Sequence, residues 1–111
     1  MTIVLLEPMN QYLKIALSLA EQSQCKQKHG AVLVRGGCII GMGHNRYQNQ
    51  DKYSGCVHAE IVALRSCSNS KGARLYVGRV DYQGHPRLSK PCRLCMVEIE
   101  KAGVKEVRFS E

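Results

Sequence analysis

Apolar positions along the 111-residue chain follow two periods, and the switches between them predict the elements. From Pro8 to about Gln24, Met9, Tyr12, Leu13, Ala16, Leu17 and Ala20 recur at the i, i+3, i+4, i+7 spacing, with Leu19 alongside. That spacing predicts an amphipathic helix, and Pro8 suits a first turn, where a missing N–H costs nothing. The polar run from Glu21 to Lys28 ends it. Ala31-Val32-Leu33-Val34 reads as a short buried strand, Gly36-Gly37 as a two-residue turn, and Cys38 to Met42 as the returning strand of a hairpin.

After a polar loop from Tyr47 to Gly55, a helix is predicted from His58 to about Cys67. Its centre, Ile61 to Leu64, is apolar on most faces, which places it inside the fold. Ser68 to Gly72 is a loop, and Ala73 to Val80, alternating at Leu75 and Val77, reads as a central strand. A second polar loop, Asp81 to Lys90, leads to Pro91 at the first position of another helix. Cys92, Cys95, Met96 and Ile99 share one face of it, Gly103 closes it, and Val104 to Phe109 forms a last strand. Helix, strand, helix, strand at this spacing implies right-handed crossovers and parallel pairing. The expectation is one α/β domain over residues 1–111, a three-layer α/β/α arrangement around a mixed sheet of about four strands, with helices on both faces. Val104 to Phe109 would then be an unprotected edge, for which a second copy of the chain is the expected cover.

Composition changes this picture little. An apolar content of 44% with 23% charged residues is ordinary for a soluble globular protein. No basic leader with a cleavage site begins the sequence, and no apolar run approaches a membrane span, so a cytoplasmic protein is expected. In that compartment Cys25, Cys38, Cys56 and Cys67 read as reduced thiols. The net charge of +7 favours phosphate-bearing partners, but the basic residues form no block of the kind that makes a nucleic-acid arm.

The chemistry lies in His58-Ala59-Glu60 and Pro91-Cys92-Arg93-Leu94-Cys95. His58, Cys92 and Cys95 are ligands of the kind zinc takes, and three protein ligands leave a fourth position for water. Glu60 is close enough to exchange a proton with that water. A lone Cys-x-x-Cys also fits a redox site or a structural zinc knuckle. Neither has a use for both His58 and Glu60, and no second closely spaced ligand pair completes a structural site. Each ligand group opens a helix, where the dipole favours thiolates and an ionised Glu60.

This H-x-E and P-C-x-x-C combination resembles the cytidine/deoxycytidylate deaminase superfamily, and the likeness runs from about Gly30 to Phe109. The resemblance implies a cytidine-deaminase-like fold, a Zn2+ cofactor, and hydrolytic deamination of a nucleobase amino group by zinc-activated water. Glu60 would carry protons to the ring nitrogen and the leaving amine. Gly43-His44-Asn45-Arg46 resembles the segment whose Asn contacts substrate, which implies that role for Asn45. The Ala59 backbone amide and the Ser89 carbonyl would meet the reacting carbonyl or water oxygen and the leaving amine. The expected substrate is the cytosine of dCMP, CMP or cytidine, with Arg46 and Arg87 as candidate phosphate contacts and His85 near the entrance. His29 reads as a surface residue, and His44 as a pocket or packing residue. A polynucleotide such as tRNA or single-stranded DNA is the alternative, since Gly43 to Arg46 and His58 to Arg65 also resemble tRNA adenosine deaminases. Against it stand a single Phe and no Trp on which to stack bases. A non-catalytic zinc module is the third reading, and Glu60 argues against that. Many members continue past the last strand and assemble as oligomers, so a homo-oligomer is expected, with substrate choice shaped without that extension.

Overall fold

The computed structural model describes residues 1–5, 10–48 and 55–110. The first helix, α1 (Gln11–Glu21), starts at Asn10, whose side-chain oxygen accepts from the Tyr12 and Leu13 amides at 2.9 and 3.0 Å. A polar cap therefore sets the helix start. Pro8 and Met9, expected in the first turn, lie outside the described residues. The helical period is borne out by Leu13, Ala16 and Ala20, which are fully buried.

Five strands lie side by side in the order β1 (Thr2–Leu5), β8 (Glu106–Phe109), β6 (Arg74–Val80), β2 (Lys28–Arg35) and β3 (Cys38–His44). A short β7 (Pro86–Arg87) adds to β6, which makes the sheet six-stranded rather than about four-stranded. The predicted hairpin is β2–β3, turning at Gly36 and Gly37 with φ of 60° and 77°. Two consecutive positive φ values match the twist of a tight hairpin, and glycine reaches them without strain. β6 and β8 are parallel, joined by α3 (Arg93–Lys101), as a strand–helix–strand crossover requires. A separate two-stranded ribbon, β4 (Arg46–Tyr47) with β5 (Cys56–Val57), brackets a loop whose residues 49–54 lie outside the described set. It leads into α2 (Ala59–Arg65).

Strand alternation sorts the core into two layers. Val32, Val34 and Tyr76 face α1, where Ala16 meets them. Ala31, Leu33, Leu75 and Val77 face α2 and α3, where Ala59, Ala63, Cys95 and Ile99 meet them. Each fully buried Leu or Val contributes about 1.5–3 kcal/mol. Glycines set how closely the helices approach: a Cβ at Gly78 would lie 3.0 Å from the Leu17 amide nitrogen on α1. The three-layer arrangement with helices on both faces is therefore present.

One expectation is corrected. The last strand is no open edge, because the chain's own β1 pairs with it in parallel, Thr2 opposite Glu106 and Leu5 opposite Phe109. The run Ile3-Val4-Leu5 was too short and too close to the polar Glu7 to announce itself as a strand. Cover for β8 comes from within the chain, so that argument for a second copy falls. Among the described residues no helix is long and apolar enough to cross a membrane.

Candidate metal centre and reaction cavity

The two helices beneath the sheet begin at the ligands themselves. His58 is the N-cap of α2 and Cys92 the N-cap of α3, both with extended backbone and neither with a side-chain capping bond. Pro91 thus stands one residue before the cap rather than inside the helix. Cys95 is one turn further along α3 and nearly buried. The His58 Nδ1 lies 3.1 Å from the Cys95 Sγ and 3.8 Å from the Cys92 Sγ, and the three ligand atoms all fall within 4.8 Å of one another. One nitrogen and two sulfurs at that separation fit a tetrahedral zinc with one position left over. Burial, followed by the nearby Glu60 charge, pushes the Cys95 thiol far up, so the thiolate needs a cation beside it.

Glu60 occupies the first turn of α2 and is 3% exposed. Burial raises its pKa, opposed by its own backbone amide and by His58. The helix start therefore works against the burial of the carboxyl. A divalent cation at the adjacent ligands acts in the same sense as the helix start.

Two hollows flank the ligands. The larger, about 720 Å³, lies between α2 and α3 and is lined by Ile61, Leu64, Leu94 and Ala102 beside His58 and both cysteines. The smaller, about 250 Å³, is bounded by His29, His58, Glu60, Arg79, Lys90 and Cys92. Only the smaller one brings Glu60 together with metal ligands, so it is the candidate reaction cavity. Its volume lies just below the usual range for ligand sites, about 300 to 1,000 Å³.

The other sequence-predicted residues fall at varying distances from this cavity. Ala59 is the first residue of α2, fully buried, and its N–H has no partner within the helix. Ser89 is fixed to the sheet: its hydroxyl donates to the Val77 carbonyl at 2.7 Å and meets the Ser110 hydroxyl at 2.9 Å. Asn45 is buried with both ends of its amide taken by backbone. Its oxygen accepts from the His29 amide at 2.9 Å, and its nitrogen donates to the Gln27 carbonyl. It thus anchors the segment that leads into β2. Arg46 and His44 line a separate polar hollow, away from Glu60. Arg87 is held by Asp81 at 2.8 Å, and His85 sits exposed beside the same carboxylate at 3.6 Å.

Sequence reasoning missed Arg79 and misread His29. The signal was present for the first: alternation through Leu75 and Val77 puts residue 79 on the inward face of β6. His29 is half-buried at the cavity wall, where burial first, then the Arg79 and His58 charges, hold it below the usual histidine range. The thiols differ as well. Cys25 and Cys56 form a disulfide, with Cα atoms 6.6 Å apart, while Cys38 and Cys67 are free. Pairing of β4 with β5 carries Cys56 to the turn after α1, a proximity that residues 31 apart in sequence do not reveal.

Residues 6–111 match the family described as the cytidine and deoxycytidylate deaminase zinc-binding region. The chain belongs to this family. Zn2+ is accordingly the cofactor of the His58, Cys92 and Cys95 centre. Among curated relatives, the chain is 33% identical over 101 residues to the riboflavin biosynthesis protein RibD of Aquifex aeolicus. That match covers 86% of the chain but spans only about a quarter (26%) of the relative's length. Among solved structures, the dCMP deaminase of cyanophage S-TIM5 in apo form is 30% identical, with a TM-score of 0.69 over 89% of this chain and 80% of that one. The same phage enzyme in complex with dCMP and dUMP is 27% identical, with a TM-score of 0.68 over 90% and 79%.

Proposed function

We propose that this deaminase-family chain hydrolyses the exocyclic amine of a cytosine nucleotide or nucleoside, with dCMP, CMP and cytidine as candidates, to the uracil product and ammonia. The observation that carries the reading is the placement of Glu60, buried in the same small cavity as His58 and Cys92. A structural zinc site has no use for a buried carboxyl, and an unpaired one is costly to keep. The likeness to an enzyme solved with dCMP and dUMP supports the choice of base.

Bound Zn2+ supplies Lewis acidity, lowering the pKa of water to about 7. The chain's residues do the rest. Glu60 takes a proton from the water whose oxygen bonds to the ring carbon and passes it to the adjacent ring nitrogen. It then takes the remaining proton from that oxygen, now a hydroxyl on the ring carbon, and delivers it to the amine, so that the carbonyl forms, the C–N bond breaks and ammonia leaves. The raised pKa of Glu60 suits a group that must hold a proton between these two transfers. In this reading the Ala59 N–H, at the start of α2, donates to the developing oxygen, and the Ser89 carbonyl accepts from the leaving amine. Asn45 acts on the substrate through the Gln27–His29 backbone that it anchors.

A polynucleotide is the second reading, favoured by the hollow that His44, Arg46 and Arg65 line beside the β4–β5 ribbon. Zinc-loaded protein offered cytidine, CMP, dCMP, dCTP and adenosine should release ammonia from a cytosine compound. Glu60→Gln should keep its zinc and lose turnover by a factor of about 10² or more. Turnover in that variant at the wild-type rate sinks the mechanism. Silence on every small molecule, with oligonucleotide affinity falling steeply as salt rises, favours the second reading.

A further inference from the structure

Arg79 and Arg87 form a basic pair across two strands, with His29 beside Arg79 on a third. His29 stands opposite Arg79 in the β2–β6 ladder, and Arg79 opposite Arg87 in the β6–β7 ladder. Opposed residues project to one face, here the face that carries Leu75 and Val77 toward α2 and α3. Like charges placed opposite each other destabilise a sheet unless something neutralises them. Asp81 does so for Arg87, at 2.8 Å to one terminal nitrogen and 3.0 Å to Nε.

Arg79 has no such partner. Among the described residues it makes no ion pair, and its side chain makes one hydrogen bond, from Nη1 to the Leu88 carbonyl at 3.4 Å. Most of its five donors remain unspent. Lys90 likewise makes no ion pair among the described residues. Both line the cavity that holds Glu60, and among the described residues neither pairs with it.

We propose that Arg79, aided by Lys90, is an anion subsite of the reaction cavity that selects a substrate carrying a phosphomonoester, a nucleoside monophosphate over the bare nucleoside. The assignment of the rest of the substrate rests on the deaminase reading above. A guanidinium fork matches phosphate oxygens two at a time, and an ammonium adds a point charge. A phosphomonoester carries about −1.5 to −2 charges at neutral pH, enough to answer both cations. A phosphodiester carries one charge and continues at both ends, which suits a small cavity poorly.

The test is calorimetric binding to the zinc-loaded chain, with dUMP, deoxyuridine and inorganic phosphate as probes that undergo no turnover. Wild-type protein should bind dUMP about tenfold to a hundredfold tighter than deoxyuridine, the range charge-assisted hydrogen bonds give. Arg79→Gln should bring that ratio to within about threefold and remove phosphate binding, Lys90→Gln should lower it in part, and Arg79→Lys should fall between. A wild-type ratio near one overturns the proposal, as does an unchanged ratio in an Arg79→Gln protein of normal zinc content and melting temperature. Should Arg79→Gln fail to fold, Arg79→Lys and Lys90→Gln carry the same comparison, and unchanged ratios in both overturn it. A single-stranded oligonucleotide that outcompetes dUMP through Arg79 also overturns it, by moving the subsite to a phosphodiester. Arg79-dependent phosphate binding without ammonia release from any nucleobase leaves the subsite standing and removes the deaminase reading instead.

Discussion

Cys56, two residues before His58, is disulfide-bonded to Cys25 in the turn that follows α1. The bond fastens the approach to the metal centre onto the far end of the first helix. Cross-linking residues 31 apart removes loop freedom from the unfolded chain worth about 3–4 kcal/mol. Urea unfolding of oxidised protein, reduced protein and Cys56→Ser should show the last two less stable by about that amount. Identical midpoints in all three would mean that the bond contributes nothing to the native fold.

α2 packs on β3 over glycine. A Cβ at Gly43 would overlap the Val62 side chain, and one at Gly41 would come 2.8 Å from the Ala63 carbonyl. Gly43→Ala is expected to cost about 1–3 kcal/mol and to displace the helix that carries His58 and Glu60. Zinc affinity, measured by competition with a chromogenic chelator, should fall along with the melting temperature. A fall in melting temperature alone would show that the helix start holds its place.

The β6–β7 turn is held by Asp81. Its carboxylate accepts from the Gln83 and His85 amides, each at 2.9 Å, and pairs with Arg87. The His85 amide and the Arg87 guanidinium hold its pKa down to about 2, from an ordinary 3.8. A depressed carboxylate stabilises fully above its unfolded value and loses that contribution as pH falls through the folded one. Protection of the hairpin amides against exchange should therefore weaken between about pH 3.8 and 2 in wild type. Asp81→Asn should lack that step, and an NMR titration placing Asp81 near 3.8 would remove its basis.

Neither metal-binding helix has a side-chain cap, because the cap positions are spent on ligands. Chelation should loosen both first turns together, so hydrogen exchange should quicken at the starts of α2 and α3 before it does in β2 or β6. Zinc should also leave as pH falls, since protons compete for the thiolates. Uniform exchange across the chain after chelation would argue that metal and helix starts are uncoupled.

Much of this was readable from residue order. Period and turn chemistry located α1, the β2–β3 hairpin, α2, β6, α3 and β8 to within a few residues, and ligand type together with the H-x-E and P-C-x-x-C motif grouped His58 with Cys92 and Cys95. What the sequence hid was non-local. β1 is four residues long and owes its existence to β8, at the opposite end of the chain. β7 is two residues inside a polar loop, defined by its pairing with β6. The disulfide and the wall formed by His29 and Arg79 depend on which strands become neighbours, and strand order is not written in local periodicity. Asn45 shows a subtler limit: its residue type and position announced a polar task, but only the fold shows that backbone at Gln27 and His29 takes both ends of its amide.

The pairing of β1 with β8 also has a kinetic side. β8 can join β6 after closing a loop of some thirty residues, part of it the α3 helix, whereas joining Thr2 to Glu106 closes one of roughly a hundred. Such distant pairings are slow to form. Of the strands in this sheet, the one made first is therefore the one that finds its neighbour last, and until it does the sheet presents β8 as a bare edge to whatever else is nearby.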